Sequence, residues 1–183
     1  MALGEEQRLI SLLQSDNDRL AILEAVATLV LTDCWVAAGF VRNLVWDHLH
    51  KIKTQLNDVD VIYYSQSDTQ GQLAEHATRQ LQQRLPNVNW QVKNQALMHK
   101  KRQHNCYLSS TDAMTFWPEK ETAVAVKIDA RGVITVNAPF GLSSLFAQQI
   151  TFNPKADEQV FRNRISQKSW LTIWPKLQVV SHT

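Results

Sequence analysis

Cysteine is scarce in this chain, and its two copies make no pattern. Cys34 sits in the apolar run CWVAA and Cys106 in the polar HNCY. Two residues so differently placed exclude a disulfide framework and a zinc knuckle, so reduced thiols are expected. His99 and His104 beside Cys106 in HKKRQHNC match no zinc spacing and sit among competing cations. No apolar run approaches the roughly 18 residues that a membrane span requires. The acidic opening MALGEEQ lacks the basic-then-apolar order of a signal peptide, so a cytoplasmic location without membrane partners is expected. Internal repeats, low-complexity tracts and Pro/Gly/Ser linkers are also missing, which argues for one domain over residues 1–183. No Ser/His/Asp, Cys/His or P-loop arrangement appears.

What is present is an ordinary globular composition, with 44% hydrophobic and 20% charged residues. The net charge of +2 says little about partners. Local basic clusters say more: HLHKIK at 48–53, Lys93, and Lys100, Lys101 and Arg102 in MHKKRQH permit phosphate-bearing ligands, RNA among them, and are equally consistent with solvated loops.

Hydrophobic periodicity gives the element order. Residues 1–31 form a helical lead-in: Leu9, Leu12 and Leu13, then Leu20, Leu23, Ala27 and Val30 recur near helical spacing, broken and capped by SDND. The run from Cys34 to Ala38 reads as a buried strand ending at Gly39. Val41, Leu44, Val45, His48 and Leu49 then mark one face of a helix to about residue 50. NDVDVIYY at 57–64 returns to strand composition, 70–85 is a polar amphipathic helix closed by Pro86, and a strand follows over 88–98. Next come a short helix from STDA up to Pro118, a hairpin of TAVAVKID and VITVNA turned at Gly132, and a short helix from APFGL to about 148. A final helix enters after Pro154, so that 154–183 is a C-terminal helix and tail; an amphipathic helix covering the sheet accounts for Arg162, Arg164 and Lys168 on one flank. This mixture predicts an α+β (α/β) fold with a mixed central sheet and flanking helices.

The chemistry concentrates at AAGFVRNLVWDHLHKIKTQLNDVDVIYY, residues 37–64. In a strand, Asp58 and Asp60 project from one face with Cα atoms about 6.6 Å apart. Paired hard oxygen ligands at the mouth of a central strand suit Mg²⁺ or Mn²⁺, and a cation would offset their mutual repulsion. The alternative is a polar strand end at the surface. Gly39 stands where strand becomes helix, and a helix N-terminus offers free N–H groups and positive dipole to a phosphate. Arg42 and Asn43 follow in the first turn, where a guanidinium can clamp a triphosphate or simply be solvated. Trp35, Trp90, Trp170 and Trp174 read as core residues. Trp46, on the polar side of its helix, is the tryptophan to watch for base stacking.

The block GFVRN followed by DVD resembles the head of the polymerase-beta-like nucleotidyltransferase superfamily, notably the G-x-VRD…DxD pattern of CCA-adding tRNA nucleotidyltransferases. AAGFVRNLVWD, LNDVDVIYY, WQVKNQALMH, APFGLSSLF and FNP together resemble a small family of bacterial nucleotidyltransferase-fold proteins of unassigned substrate, over about residues 33–175. The resemblance implies the nucleotidyltransferase fold and metal-dependent transfer of a nucleoside monophosphate from an NTP to an acceptor. It makes Asp58 and Asp60 the catalytic, metal-binding pair, Gly39 the signature-turn glycine and Arg42 the arginine of the VRD block. Asn94, Gln95 and His99 become candidates to face base or ribose. Two departures accompany it. A double glycine or Gly-Ser is replaced by Gly39-Phe40 after Ala38, and the neighbouring strand offers Gln91, Asn94 and Gln95 where active members carry a third carboxylate. Glu119, Glu121 and Asp129 are the substitutes in view. The loss of one ligand weakens the two-metal site that the resemblance implies and leaves a single-metal enzyme, or a catalytically degenerate nucleotide- or RNA-binding module, as the competing expectations.

Overall fold

The computed structural model describes residues 4–99 and 105–181. Of the basic and histidine candidates, Lys100, Lys101, Arg102 and His104 lie outside the described residues.

Helices α1 (Glu5–Gln14) and α2 (Asn17–Ala27) lead into β1 (Trp35–Ala37), α3 (Gly39–His50), β2 (Asp58–Tyr63), α4 (Gln72–Arg84) and β3 (Asn89–Asn94). Helix α5 (Ser110–Met114), the β4–β5 hairpin (Ala125–Ile128, Ile134–Asn137) and α6 (Ser143–Phe146) follow. The chain then forms β6 (Gln149–Thr151), α7 (Glu158–Gln167), α8 (Trp170–Ile173) and β7 (Gln178–Val180). The five-stranded sheet has the order β3-β2-β1-β4-β5. Strands β2 and β3 are parallel and the other pairs antiparallel, so the sheet is mixed and the fold α+β, as expected. No described helix is long and apolar enough to cross a membrane.

Strand alternation divides the molecule into two layers. Val36, Val59, Val61, Trp90 and Val126 face the main core, where Leu9, Leu13, Leu23, Phe40, Val41, Val45 and Leu81 pack from the helices. The opposite face carries a smaller cluster of Trp35, Ala37, Ile62, Met114 and Ala125. Asp58 and Asp60 share that second face with Ile62, at the open end of β2. β2 is apolar on both sides past its start and is flanked by β1 and β3, which makes it an interior strand.

Some expected boundaries move, for local reasons. The strand expected over 88–98 stops at Asn94, because the Asn94 side chain accepts from the Ala96 N–H at 3.1 Å and starts a 3₁₀ turn. The last long helix, expected after Pro154, begins at Glu158. Its cap is Asp157, whose carboxylate accepts from the N–H groups of Gln159 and Val160 at 2.7 and 3.1 Å. The tail is not a plain extension: β7 pairs in parallel with β6, which sequence periodicity did not signal.

That tail is fastened to α3. The Trp174 indole N–H donates to Asp47 at 2.8 Å, and the Lys176 N–H donates to His50 Nε2 at 3.1 Å. Trp46 lies edge-on to Trp170 and Trp174, with ring centroids 5.9 and 5.1 Å away. Trp46 is therefore fully buried, contrary to the expectation of a polar-side ring available to a base, because α8 covers that flank of α3. The other Asp47 oxygen accepts from the Thr54 N–H and hydroxyl, both at 2.9 Å. Asp47→Ala leaves three donors without this acceptor and is expected to destabilise the protein by about 2–3 kcal/mol. Urea unfolding followed by tryptophan fluorescence checks this; a loss within about 0.5 kcal/mol, the scale of an ordinary surface substitution, contradicts the fastening role.

Candidate active site

The antiparallel register of β1 and β2 sets Ala37 opposite Asp60. The turn after β1 therefore lies beside the strand end that carries both acids. Ala38 occupies that turn with φ 59° and ψ −123°, a conformation that glycine adopts readily and alanine does not. Its N–H donates to the Val124 carbonyl at 2.9 Å and its carbonyl accepts from the Arg42 N–H at 2.9 Å, so neighbouring strand and helix hold it there. No side chain caps α3, whose first turn opens toward the acids.

Gly39 itself is not demanded by sterics. A Cβ at this position would meet the Asn43 amide at 3.6 Å and the Arg42 guanidinium at 3.7 Å, ordinary contacts on the cleft side. What the missing Cβ provides is room at the helix N-terminus. Arg19 steadies the same turn from behind: its Nε donates to the Phe40 carbonyl at 3.0 Å, while its guanidinium pairs with Asp16 at 2.6 Å.

Asp58 is exposed and Asp60 half-buried. Both already have partners on β3. Asn89 Nδ2 donates to Asp58 at 2.6 Å, and the Lys93 ammonium pairs with Asp60 at 3.0 Å. Among the described residues no group of three or more His, Cys, Asp or Glu side chains is placed to hold a metal ion. Glu119 and Glu121 are buried: Glu119 accepts from Arg164 Nε at 2.5 Å and Glu121 from the Thr151 N–H at 2.7 Å. Asp129 is bound up in the β4–β5 turn with Arg131 at 3.0 Å. The hard-oxygen donor set at the mouth is thus two carboxylates, which fits one Mg²⁺ or Mn²⁺ completed by water and phosphate oxygens.

Arg42 is not solvated: it lies within the wall of the cleft. It is 5% exposed, lying over Trp170 and Trp46 with its guanidinium carbon 4.4 and 4.8 Å from the ring centroids. Nη1 donates to Thr122 at 2.6 Å, and Nε and Nη2 donate to Asn43 Oδ1 at 3.2 and 3.0 Å. Burial pushes its pKa down to about 10, against the opposing pull of Glu119, so it stays charged at neutral pH. Because Arg42 takes the Asn43 oxygen, the Asn43 amide nitrogen, 3.6 Å from where a Gly39 Cβ would stand, is the part of that side chain left to donate.

Two connected lobes meet at Ala38, Asp60, Thr122 and Arg164. The larger, about 410 Å³, collects Gly39, Arg42, Asn43, Asp58 and Asp60 from the first half of the chain. Its other wall is Arg164, Gln167, Lys168, Ser169 and Trp170 from the C-terminal segment. The smaller, about 220 Å³, has Ile62, Lys93, Gln95, Met98, Tyr107 and Trp117 in its walls. Asn94 reaches neither lobe. Its amide is spent on the Ser65–Asp68 turn and on Ala96, in four hydrogen bonds of 2.8 to 3.1 Å. His99 also lies off the lining, bonded to the Ala96 carbonyl at 2.8 Å and 3.5 Å from the Cys106 sulfur. The C-terminal wall was missed by sequence reasoning. Arg164 and Lys168, four residues apart on one flank, are the signal that points to it in retrospect.

A family model described as nucleotidyltransferase matches residues 24–179. A structure solved by NMR, described as revealing a CCA-adding enzyme head domain, is similar with a TM-score of 0.83 and 29% identity over 96% of both chains. A CCA-adding enzyme in complex with CTP is similar with a TM-score of 0.57 and 12% identity, a likeness of fold that covers 94% of this chain and 42% of that one. No curated protein matches the chain.

Two substitutions test the turn. Ala38→Gly is expected to stabilise the protein by about 1 kcal/mol, since relief of strain of about 1–3 kcal/mol exceeds the entropic cost of glycine, about 0.5–1 kcal/mol. Gly39→Ala, in a helical first turn with space for its methyl, should be neutral or stabilising by up to about 1 kcal/mol. Chemical unfolding of both variants measures this, and a destabilised Ala38→Gly would contradict the strained turn.

Proposed function

The chain belongs to the nucleotidyltransferase family, and from that premise we propose that it transfers a nucleoside monophosphate from an NTP to an acceptor, releasing pyrophosphate. The observation that carries this reading is the Ala37–Asp60 register, which sets the uncapped N-terminus of α3 beside the paired carboxylates. In this reading the triphosphate occupies the larger lobe. The N–H groups of Gly39 and Phe40, which precede the Val41 and Arg42 N–H groups bonded to the Ala38 carbonyl, and the Asn43 amide donate to phosphate oxygens, and Gly39 leaves them within reach. Arg42 contributes positive field from its buried seat and orients Asn43. Arg164 and Lys168 supply cationic charge from the opposite wall. Asp58 and Asp60 would hold a single Mg²⁺ or Mn²⁺, which would neutralise phosphate charge and favour attack on the α-phosphorus. The CTP bound by the CCA-adding enzyme of similar fold supports an NTP as donor. Gln95, in the smaller lobe across Asp60, is suited to contact base or acceptor.

A second reading, a nucleotide- or RNA-binding module without turnover, is favoured by one observation: a lysine rather than a third acid stands against Asp60.

Thermal unfolding with each NTP and Mg²⁺ or Mn²⁺ tests the site, since a ligand at about 100 times its Kd adds about 2.7 kcal/mol to the native state. A metal-dependent rise in Tm, lost in Asp60→Asn and weakened in Gly39→Ala, is expected. The Asp60 variant should fold normally, because a partly exposed ion pair contributes about 0–1 kcal/mol. Pyrophosphate release with an acceptor, abolished in Asp58→Ala/Asp60→Ala, separates the enzyme from the binding module. Turnover that survives in that double variant rules out the proposed catalytic pair.

A further inference from the structure

We propose that Lys93 is a built-in cation that takes the place of a second metal ion, so that the site holds one divalent cation per nucleotide. This rests on the NTP-binding reading and specifies how the site balances its charge.

The argument starts from the parallel pairing of β2 and β3. Asn89 is set opposite Asp58, Gln91 opposite Asp60 and Lys93 opposite Ile62, all on the face that carries the acids. Strand β3 therefore presents two amides and an ammonium to the carboxylate pair, and no acid. Both acids already use it: Asn89 donates to Asp58 at 2.6 Å and Lys93 reaches back along the strand to Asp60 at 3.0 Å. The Lys93 ammonium is a donor only and repels a metal ion, Asn89 turns its N–H side to Asp58, and the amide oxygens of this strand are neutral where a third carboxylate would add negative charge.

The rest of the neighbourhood offers no replacement among the described residues. Glu119 gives one oxygen to Arg164 and Glu121 one to the Thr151 backbone, both are buried and line neither lobe, and Asp129 is held by its own turn. A second divalent ion would thus have to share Asp60 with Lys93, with Arg42 and Arg164 lining the same cleft. One divalent ion, carried in with the triphosphate and held by Asp58 and the free side of Asp60, avoids that crowding of cations. The Lys93 ammonium then does for Asp60 what a second ion does elsewhere, holding its charge and orientation. Lys93 also lines the smaller lobe, which places this fixed charge at the boundary between the two lobes.

Mn²⁺ binding read by electron paramagnetic resonance tests the proposal without relying on turnover. Wild type, Lys93→Gln and Lys93→Glu are compared, first with Mn²⁺ alone and then with a non-hydrolysable NTP analogue. The Lys93 side chain is 45% exposed, so all three should fold, and circular dichroism melts verify it. Removing one unit charge next to Asp60 should tighten Mn²⁺ binding in Lys93→Gln by about tenfold or more, with no nucleotide present. The wild-type nucleotide complex should bind one Mn²⁺ per chain, and Lys93→Glu should bind two with the dipolar broadening of a close pair. Two Mn²⁺ in the wild-type complex, or unchanged Mn²⁺ affinity in Lys93→Gln, overturns the proposal while leaving NTP binding intact. Failure of all three proteins to take up the analogue instead overturns the NTP reading, and with it the proposal.

Discussion

The buried guanidinium of Arg42 is the constraint on which the cleft depends. A full positive charge taken out of water is tolerated only where opposite charge, hydrogen bonds and aromatic faces replace the lost hydration. Here Trp46 and Trp170 supply the faces, Thr122 and Asn43 accept its N–H groups, and Glu119, Asp60 and Glu121 supply the opposing charge. Those partners come from α3, β2, the segment before β4 and the C-terminal α8. One side chain therefore requires four parts of the chain to arrive together, and their meeting place is the wall of the larger lobe.

The compensation extends outward. Arg164 stands near Arg42 and repels it, and Glu119 answers Arg164 directly at 2.5 Å while also attracting Arg42. Trp170 lies under both guanidiniums, 4.4 Å from one and 5.6 Å from the other. Trp174 then fixes this segment to α3 through Asp47. The cleft is consequently a charged assembly held rigid by aromatic packing, the kind of setting in which positive charge can be aimed at a phosphate with little rearrangement. The strain at Ala38 belongs to the same design. The chain turns too sharply for an alanine, yet the turn is what brings the first N–H groups of α3 to the open end of β2.

Much of this was legible in short stretches. Strand, glycine, helix and alternating acids occur in local order within 37–64, and local periodicity is what a sequence displays directly. Asp58 and Asp60 share a face because strands alternate, whatever surrounds them. By contrast, Asn94 reads as a polar candidate beside Gln95. Only the folded chain shows that its amide is consumed by the Ser65–Asp68 turn while Gln95 lines a lobe. Trp46 misleads for a similar reason: its helix is amphipathic against the sheet, but α8 covers a second flank that periodicity takes as solvent.

The sequence by itself determined the alternation of elements, the shared face of the two acids and the glycine at the head of α3, because each depends on neighbours within a turn or a strand. Tertiary structure decided the rest. Lys93 meets Asp60 across 33 positions, Arg42 meets Thr122 across 80, and Trp174 meets Asp47 across 127. Such contacts arise from strand register and helix docking, whose energies are sums over the whole core. No local pattern of residues encodes which distant charge will be neutralised by which partner.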